Sequence, residues 1–432
     1  MESKKLYARH VWALGVGIVL VGNFMGWNIV CDMGGINSAI IGLFVLAIMY
    51  IGQVLMASEL SLIVPETGGH YSIAKYTFGK TVAFDVGVMQ FLEYLMLEAG
   101  DVIVVGQLVH IVLPEIPPFL VTFIIVVLLT LLNYKGTYTS LSVNFVITVL
   151  AFLSIIIVLW STRFWSVNRT IIDYVGHGAI DKISTKGLLS IIGVSCWFFL
   201  GVEGTIVVRD ECVKPERDIP KGAIFSLITL MFAGFVTIML CEGVIDRNVL
   251  AKSIYPIYDA ALATGNSVVI TIAFIGTILA CLSSANGCIN DASNILATMA
   301  HDGMIPTIFE KKHKRYNSNY YAIFLIAPLT IILAISGMLD QVVAFSIFSA
   351  LVVYFITIIM YFKLKCMKIK PLNKDSFKCP LYPILPIASG IVIILAIVGL
   401  SLSYGKNVIV ATLFYVMATI IFEIFNRYTH KQ

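Results

Sequence analysis

Apolar residues run along this chain in stretches of about 17 to 25, the length that carries a helix across roughly 30 Å of hydrocarbon. They fall near residues 11–32, 37–63, 82–113, 119–134, 140–161, 187–208, 222–245, 267–298, 320–337, 341–362, 382–403 and 407–426, with short polar loops between them. The pattern predicts an all-α polytopic membrane protein of twelve transmembrane helices in one domain. Polar residues inside these stretches are the informative ones, because a helix facing lipid has no partner to offer them.

The first stretch is interrupted at its centre by Val21-Gly22-Asn23-Phe24-Met25-Gly26-Trp27-Asn28-Ile29. Glycine costs about 1 kcal/mol in a helix interior, and asparagine offers the backbone competing hydrogen bonds. Such a break survives at membrane depth only where protein buries it or where it lines a wet cavity. It is either a kink whose glycines allow close packing, or an unwound segment whose carbonyls and amides face a ligand. The sixth stretch is broken in the same way at Ser195-Cys196-Trp197-Phe198-Phe199-Leu200-Gly201-Val202-Glu203-Gly204. Breaks in the first and sixth of ten consecutive spans are what an inverted five-plus-five repeat predicts. The first half then covers 11–161 and the second 187–362, with two further spans over 382–426.

The third stretch holds Glu93, Glu98 and Asp101, with no lysine or arginine between Val82 and Val112. Each intramembrane carboxylate costs roughly 2.5–3.5 kcal/mol on insertion scales, so each needs a partner or water. At helical spacing Glu93, Leu97 and Asp101 share one stripe. Acids without a protein cation invite a ligand cation or a proton. The competing reading, hydrogen bonding to neighbouring helices, suits Glu98 best. The eighth stretch carries Ser283, Ser284, Asn286, Gly287, Asn290, Asp291 and Asn294. Adjacent hydroxyls such as Ser283 and Ser284 suit either a Na⁺ site beside an unwound helix or simple interhelical packing.

Composition agrees with the pattern: 59% of the 432 residues are apolar and 12% charged, and mean hydropathy is +0.94. Of the 29 lysines and arginines, 22 fall in segments on one side of the predicted topology, including six lysines from Lys363 to Lys378. That bias predicts cytoplasmic termini and explains the net charge of +4 without nucleic acid. The first span lacks a signal cleavage site and stays as a helix. Cys31, Cys196, Cys241, Cys281 and Cys288 lie within or at the ends of spans and form no CxxC pair, so they read as packing residues. Histidines fall in loops or at helix ends, leaving no histidine–acid cluster for catalysis and no implied cofactor. Asn168-Arg169-Thr170, in the loop 162–186, fits a glycosylation sequon.

Four motifs resemble the amino acid–polyamine–organocation permeases: Gly22-Asn23-Phe24-Met25-Gly26; Glu59-Leu60-Ser61 followed by Pro65-Glu66-Thr67-Gly68-Gly69-His70-Tyr71; Phe199-Leu200-Gly201-Val202-Glu203; and Lys214-Pro215-Glu216-Arg217-Asp218-Ile219-Pro220. The likeness covers essentially the whole chain. It implies alternating access around two broken helices in a plasma-membrane transporter. Amino-acid permeases commonly carry Gly-Ser-Gly or Gly-Thr-Gly at the first break, where small residues let backbone amides cradle a carboxylate; here Gly26-Trp27-Asn28 stands instead. Together with Glu93-Tyr94 this looks like the ethanolamine permease branch, whose substrates are small amines without a carboxylate.

The resemblance puts the helix-six aromatic that packs over substrate at Trp197, a pocket-facing position at Asp101, and at Glu203 the helix-six glutamate associated with gating and proton coupling, with a structural carboxylate that hydrogen-bonds the broken helix as the alternative. Some relatives carry a lysine in helix five where sodium sits in others; none stands between Ser140 and Ser161. The candidate substrate-lining positions are Asn23, Phe24, Met25, Gly26, Trp27, Asn28, Glu93, Leu97, Asp101, Trp197, Gly201 and Cys288. Glu203, Ser283 and Ser284 are candidates for gating or coupling, with H⁺ or Na⁺ as the coupling ion. The expected activity is uptake of ethanolamine or a similar cationic amine by a monomer or homodimer embedded in lipid, with an amino-acid permease of the same fold as the alternative.

Overall fold

The computed structural model describes residues 5–34, 36–64, 66, 68–162, 185–245, 247–367, 369 and 376–429. The loop containing Asn168 and the side chain of Cys31 lie outside the described residues. In chain order the helices are α1 (Ala8–Val19), α2 (Val21–Phe24), α3 (Asn28–Gly34), α4 (Ile36–Ile63), α5 (His70–Phe78), α6 (Lys80–Val112), α7 (Pro118–Tyr134) and α8 (Thr137–Thr162). They continue with α9 (Thr185–Val194), α10 (Pro215–Val244), α11 (Arg247–Lys252), α12 (Pro256–Leu262), α13 (Ser267–His301), α14 (Tyr320–Ser336), α15 (Leu339–Cys366) and α16 (Ile384–Thr429). Short 3-10 turns join α9 to α10, and the only extended pairing among the described residues is an isolated bridge between Leu6 and Cys212.

Among the described residues seven helices are long and apolar enough to cross a membrane, and four shorter apolar helices accompany them. At 1.5 Å per residue the 33-residue α6 is about 50 Å long, more than the hydrocarbon thickness, so it crosses tilted or extends beyond it. The last two apolar runs join in α16 across a non-helical Tyr404. Proline opens α7, α10 and α12, where its missing N–H costs nothing, and the Asn266 side chain caps α13 by accepting from Val268 N–H at 3.0 Å.

Polar side chains knit the inner helices together. Asn133 of α7 and Ser140 of α8 both donate to Asn286 Oδ1 of α13 at 2.9 Å, and Asn286 Nδ2 donates to Asn144 Oδ1 at 3.1 Å. Ser283 continues the chain to Asn144 at 3.2 Å and to Thr148 at 2.6 Å. Asn144 Nδ2 then reaches the Ala13 carbonyl of α1 at 3.3 Å. Every step is buried, so the network fixes how α7, α8 and α13 sit against the first helix.

Among the described residues Lys75, Arg209, Lys312, Lys363 and Lys365 gather at one end of the bundle, the basic face. There Lys75 bonds Asp302 at 2.7 Å and Glu66 at 2.8 Å, tying α5 to the end of α13. Burial pulls the Lys75 ammonium down, but its hydrogen bonds to Asp302 and Glu66 outweigh that and hold its pKa above the ordinary value. Arg209 donates to the carbonyls of Ser61 and Val64, fixing the end of the sixth span to the end of α4. A cavity of about 580 Å³ opens among these loops, lined by Lys75, Val207, Asn294, Thr298 and Asp302, among others.

Glu59 is 4% exposed, and its carboxylate receives Lys365, the Tyr361 hydroxyl at 2.8 Å and the Cys379 N–H at 2.9 Å. It therefore clamps α4 to α15 and the segment after it. Glu59→Ala leaves Lys365 and Tyr361 without their acceptor, and about 3–5 kcal/mol of stability is expected to be lost. Thermal unfolding of the purified protein checks this, and an unchanged midpoint would show the clamp to be idle.

Candidate functional site

Helical geometry stops after Phe24 and resumes at Asn28. Met25 is fully extended, and Gly26 has φ +88, a left-handed conformation that a side chain resists. A Cβ on Gly26 would also strike the indole of Trp197, 2.5 Å from its Nε1. That indole donates to the Met25 carbonyl at 3.0 Å, so the second break holds the first open. Trp27 is buried with its indole N–H unpartnered, and both polar atoms of the Asn23 amide are likewise buried and unpartnered. Phe24 is buried beside them, while Gly26 and Trp197 keep partial exposure. Asn28 turns elsewhere: its Nδ2 donates to the Leu250 and Ser253 carbonyls at 2.8 and 2.7 Å, anchoring α3 to α11.

The sixth span unwinds into 3-10 turns over Ser195–Phe198 and Val202–Ile206, separated by Gly201 at φ +98. Gly201 lies against Ile18 of α1, and Leu97 of α6 stands 3.7 Å from the place its Cβ would occupy. The Ile18 carbonyl receives the Ser284 hydroxyl of α13 at 2.7 Å. The first, third, sixth and eighth apolar spans therefore meet at Ile18, an apolar residue that no motif marks.

Glu93, Glu98, Leu97 and Asp101 are all buried on α6. Asp101 lies next to Ser284 and near Cys288, both on α13, and its Oδ2 has no partner. Glu98 lies beside Thr330 of α14, but that hydroxyl donates to its own helix at Ile326, and neither Glu98 oxygen accepts a bond. Glu93 meets the carboxyl of Glu203, and its oxygens accept no bond from a neutral donor. The Tyr354 hydroxyl, at 2.5 Å, and the Tyr94 hydroxyl, at 3.4 Å, hold Glu203. Among the described residues every ion pair lies at the basic face, and none involves Glu93, Glu98, Asp101 or Glu203.

The amino acid permease family profile matches residues 10–431, nearly the full length. The chain belongs to the amino acid permease family. It is 34% identical to an uncharacterized transporter of Rhizobium meliloti (strain 1021), over 97% of this chain and 91% of that one. It is 23% identical to a branched-chain amino acid permease of Bacillus subtilis (strain 168), over 89% and 85% of the two chains. A lysine-specific permease of Lactococcus lactis is 20% identical over 99% and 90%.

As an amino acid permease the protein is a multi-span membrane transporter for a small molecule. Its polar interior contains groups that spacing alone does not single out. Tyr94 and Tyr354 sit in apolar runs where tyrosine is unremarkable, and only the fold aims both at Glu203. Ser283 and Ser284 commit their hydroxyls to Asn144, Thr148 and the Ile18 carbonyl. Among the described residues no group of three or more histidines, cysteines or carboxylates gathers as for a metal ion.

Trp197 is the partly exposed aromatic ring at the join of the two breaks. A cation resting on an indole gains about 0.5–2 kcal/mol. Trp197→Leu is therefore expected to weaken binding of a cationic amine by a few-fold up to about 30-fold. Titration calorimetry reads the change, and an unaltered dissociation constant would remove the ring from the site.

Proposed function

We propose that this permease imports ethanolamine or a similar small cationic amine across the plasma membrane by alternating access. The observation that carries the reading is the state of the α6 acids: five of the six carboxylate oxygens of Glu93, Glu98 and Asp101 are buried and accept no hydrogen bond. A carboxylate in that condition costs several kcal/mol unless a cation or proton joins it. An ammonium group supplies the charge that the chain omits. Asp101, one helical turn beyond Leu97 and beside Ser284, is the proposed anchor, with Glu93 in reserve. The unpaired Trp27 N–H and Asn23 amide offer partners for a substrate hydroxyl, and Trp197 offers a ring face.

In this reading ten of twelve crossings form the five-plus-five repeat over 11–161 and 187–362, with both termini and the basic face in the cytoplasm. Substrate leaves through the cavity at that face. The coupling ion is H⁺ or Na⁺, and the contact between the Glu93 and Glu203 carboxyls, which can hold one proton between them, favours the proton.

A second reading, an amino-acid permease in the strict sense, is favoured by the names of the relatives, two of which state branched-chain amino acids and lysine. Counterflow of radiolabelled ethanolamine into proteoliposomes separates the two. Exchange that excess alanine or arginine leaves intact supports the amine, whereas competition by either amino acid, or absence of amine exchange, supports the second reading.

A further inference from the structure

Asp291 of α13 has no part in the site described so far. It is fully buried; its Oδ1 accepts from Asn290 Nδ2 at 3.0 Å, and its Oδ2 has no partner. Across from it the sixth span passes at Gly204. A Cβ there would collide with Asp291 Oδ2 and stand 3.1 Å from the Tyr94 hydroxyl oxygen, so the approach exists only because residue 204 has no side chain. The residue before it is Glu203, whose Oε1 takes the Tyr94 hydroxyl. Three and seven residues after Asp291, on the same helix face, Asn294 and Thr298 line the cavity at the basic face. Val207, three residues after Gly204, lines it too. Asp291 thus stands about one helical turn, roughly 5 Å, above the head of that cavity, between it and the Glu93–Glu203 pair.

We infer that Asp291 is the acceptor that takes a proton from Glu203, by way of the Tyr94 hydroxyl, and passes it to the cavity at the basic face. The inference rests on the transport reading above and adds the route of its coupling ion. Two carboxyls in contact in an apolar interior do not both ionise, so the Glu93–Glu203 pair retains a proton when no cation is bound. For that proton to leave toward the basic face it needs an acceptor beyond Tyr94, and Asp291 presents an open oxygen there. In the transfer the proton shared by the Glu93 and Glu203 carboxyls settles on Glu203 and the Tyr94 hydroxyl turns from Glu203 toward Asp291; its O–H then breaks as an O–H forms on Asp291, and the Tyr94 oxygen takes the proton of Glu203. One O–H is lost at Glu203, one is gained at Asp291, and no electrons change hands.

The ligand at Asp291 is a proton rather than the substrate amine, since Gly204 closes against the carboxylate and leaves no room for an ammonium group. The titratable groups near Asp291 are Glu203 of the sixth span and Glu211 in the turn just after it, Glu93 and Tyr94 from α6, and Cys288 from its own helix. All are acids or neutral, and among the described residues no ion pair includes Asp291.

The test compares the full-length wild type with Asp291→Asn and Asp291→Glu in proteoliposomes, using radiolabelled ethanolamine and, in parallel, radiolabelled alanine. Each is measured as counterflow without a pH gradient and as uptake driven by an acid-outside gradient. The expected result is that Asp291→Asn keeps counterflow within about twofold of wild type but loses at least tenfold of the gradient-driven uptake, which Asp291→Glu restores in part. Counterflow by the variant also shows that it is folded. Gradient-driven uptake unchanged in Asp291→Asn overturns the relay alone, as does loss of counterflow in both variants when they elute as monodisperse protein. If wild type exchanges alanine and not ethanolamine, the amine reading fails while the relay is still judged on alanine; if it exchanges neither, both fall.

Discussion

Asp101→Asn is expected to abolish measurable binding of ethanolamine while leaving the protein folded. The substitution keeps shape and removes the charge, and breaking one side of a buried, desolvated ion pair costs about 2–5 kcal/mol, or roughly 30- to several-thousand-fold in affinity. The free protein does not suffer the same loss, because Asp101 Oδ2 has no partner to lose. Titration calorimetry, with monodisperse elution as the folding control, reads the result. Retained affinity transfers the anchoring role to Glu93 or Glu98, which the same substitution to glutamine then distinguishes.

Gly26→Ala is expected to eliminate transport by a different route. A non-glycine residue held in the left-handed region at φ +88 costs about 1–3 kcal/mol. The new methyl also meets Trp197 Nε1 and Cδ1, at 2.5 and 2.8 Å, so the indole must swing away and release the Met25 carbonyl. The lost buried hydrogen bond adds about 1 kcal/mol. Because that bond joins the two breaks, the variant uncouples them: uptake into proteoliposomes is expected to vanish, with a lowered thermal midpoint. Full uptake by Gly26→Ala would show that the break tolerates a different arrangement.

Much of this architecture is legible in the residues, for physical reasons that also explain what is hidden. Apolar runs of spanning length announce membrane helices, and Gly26 and Gly201 announce interruptions because only glycine takes their backbone conformations without strain. The three acids of α6 stand out because lipid punishes charge. By contrast, Glu59 reads in the sequence as a capped or solvated residue near a helix end, and which partners hold it, Lys365, Tyr361 and the Cys379 N–H some 300 positions away, only the fold shows. Asn28 belongs by position to the first break, yet its Nδ2 is committed to the backbone of the segment around α11, leaving its buried Oδ1 without a partner. That Tyr94 and Tyr354 meet Glu203, and that Asp291 approaches Gly204, follows only from the long-range packing of α6, α13, α15 and the sixth span. The apolar runs 382–403 and 407–426 are two helical stretches that meet at a kink at the non-helical Tyr404, where the sequence shows a polar gap. Local composition reports what each span is made of, and tertiary packing decides which way its polar groups face.

In the proposed function an ammonium group takes the place of a lysine or arginine beside Asp101, which forms no ion pair among the described residues. Equilibrium binding of ethanolamine and of ethylene glycol, the neutral molecule with a hydroxyl in place of the ammonium, to the purified wild-type protein tests this directly. Saturable binding of ethanolamine with none of the diol is the predicted result; equal affinity for both, or no binding of the cation, contradicts it.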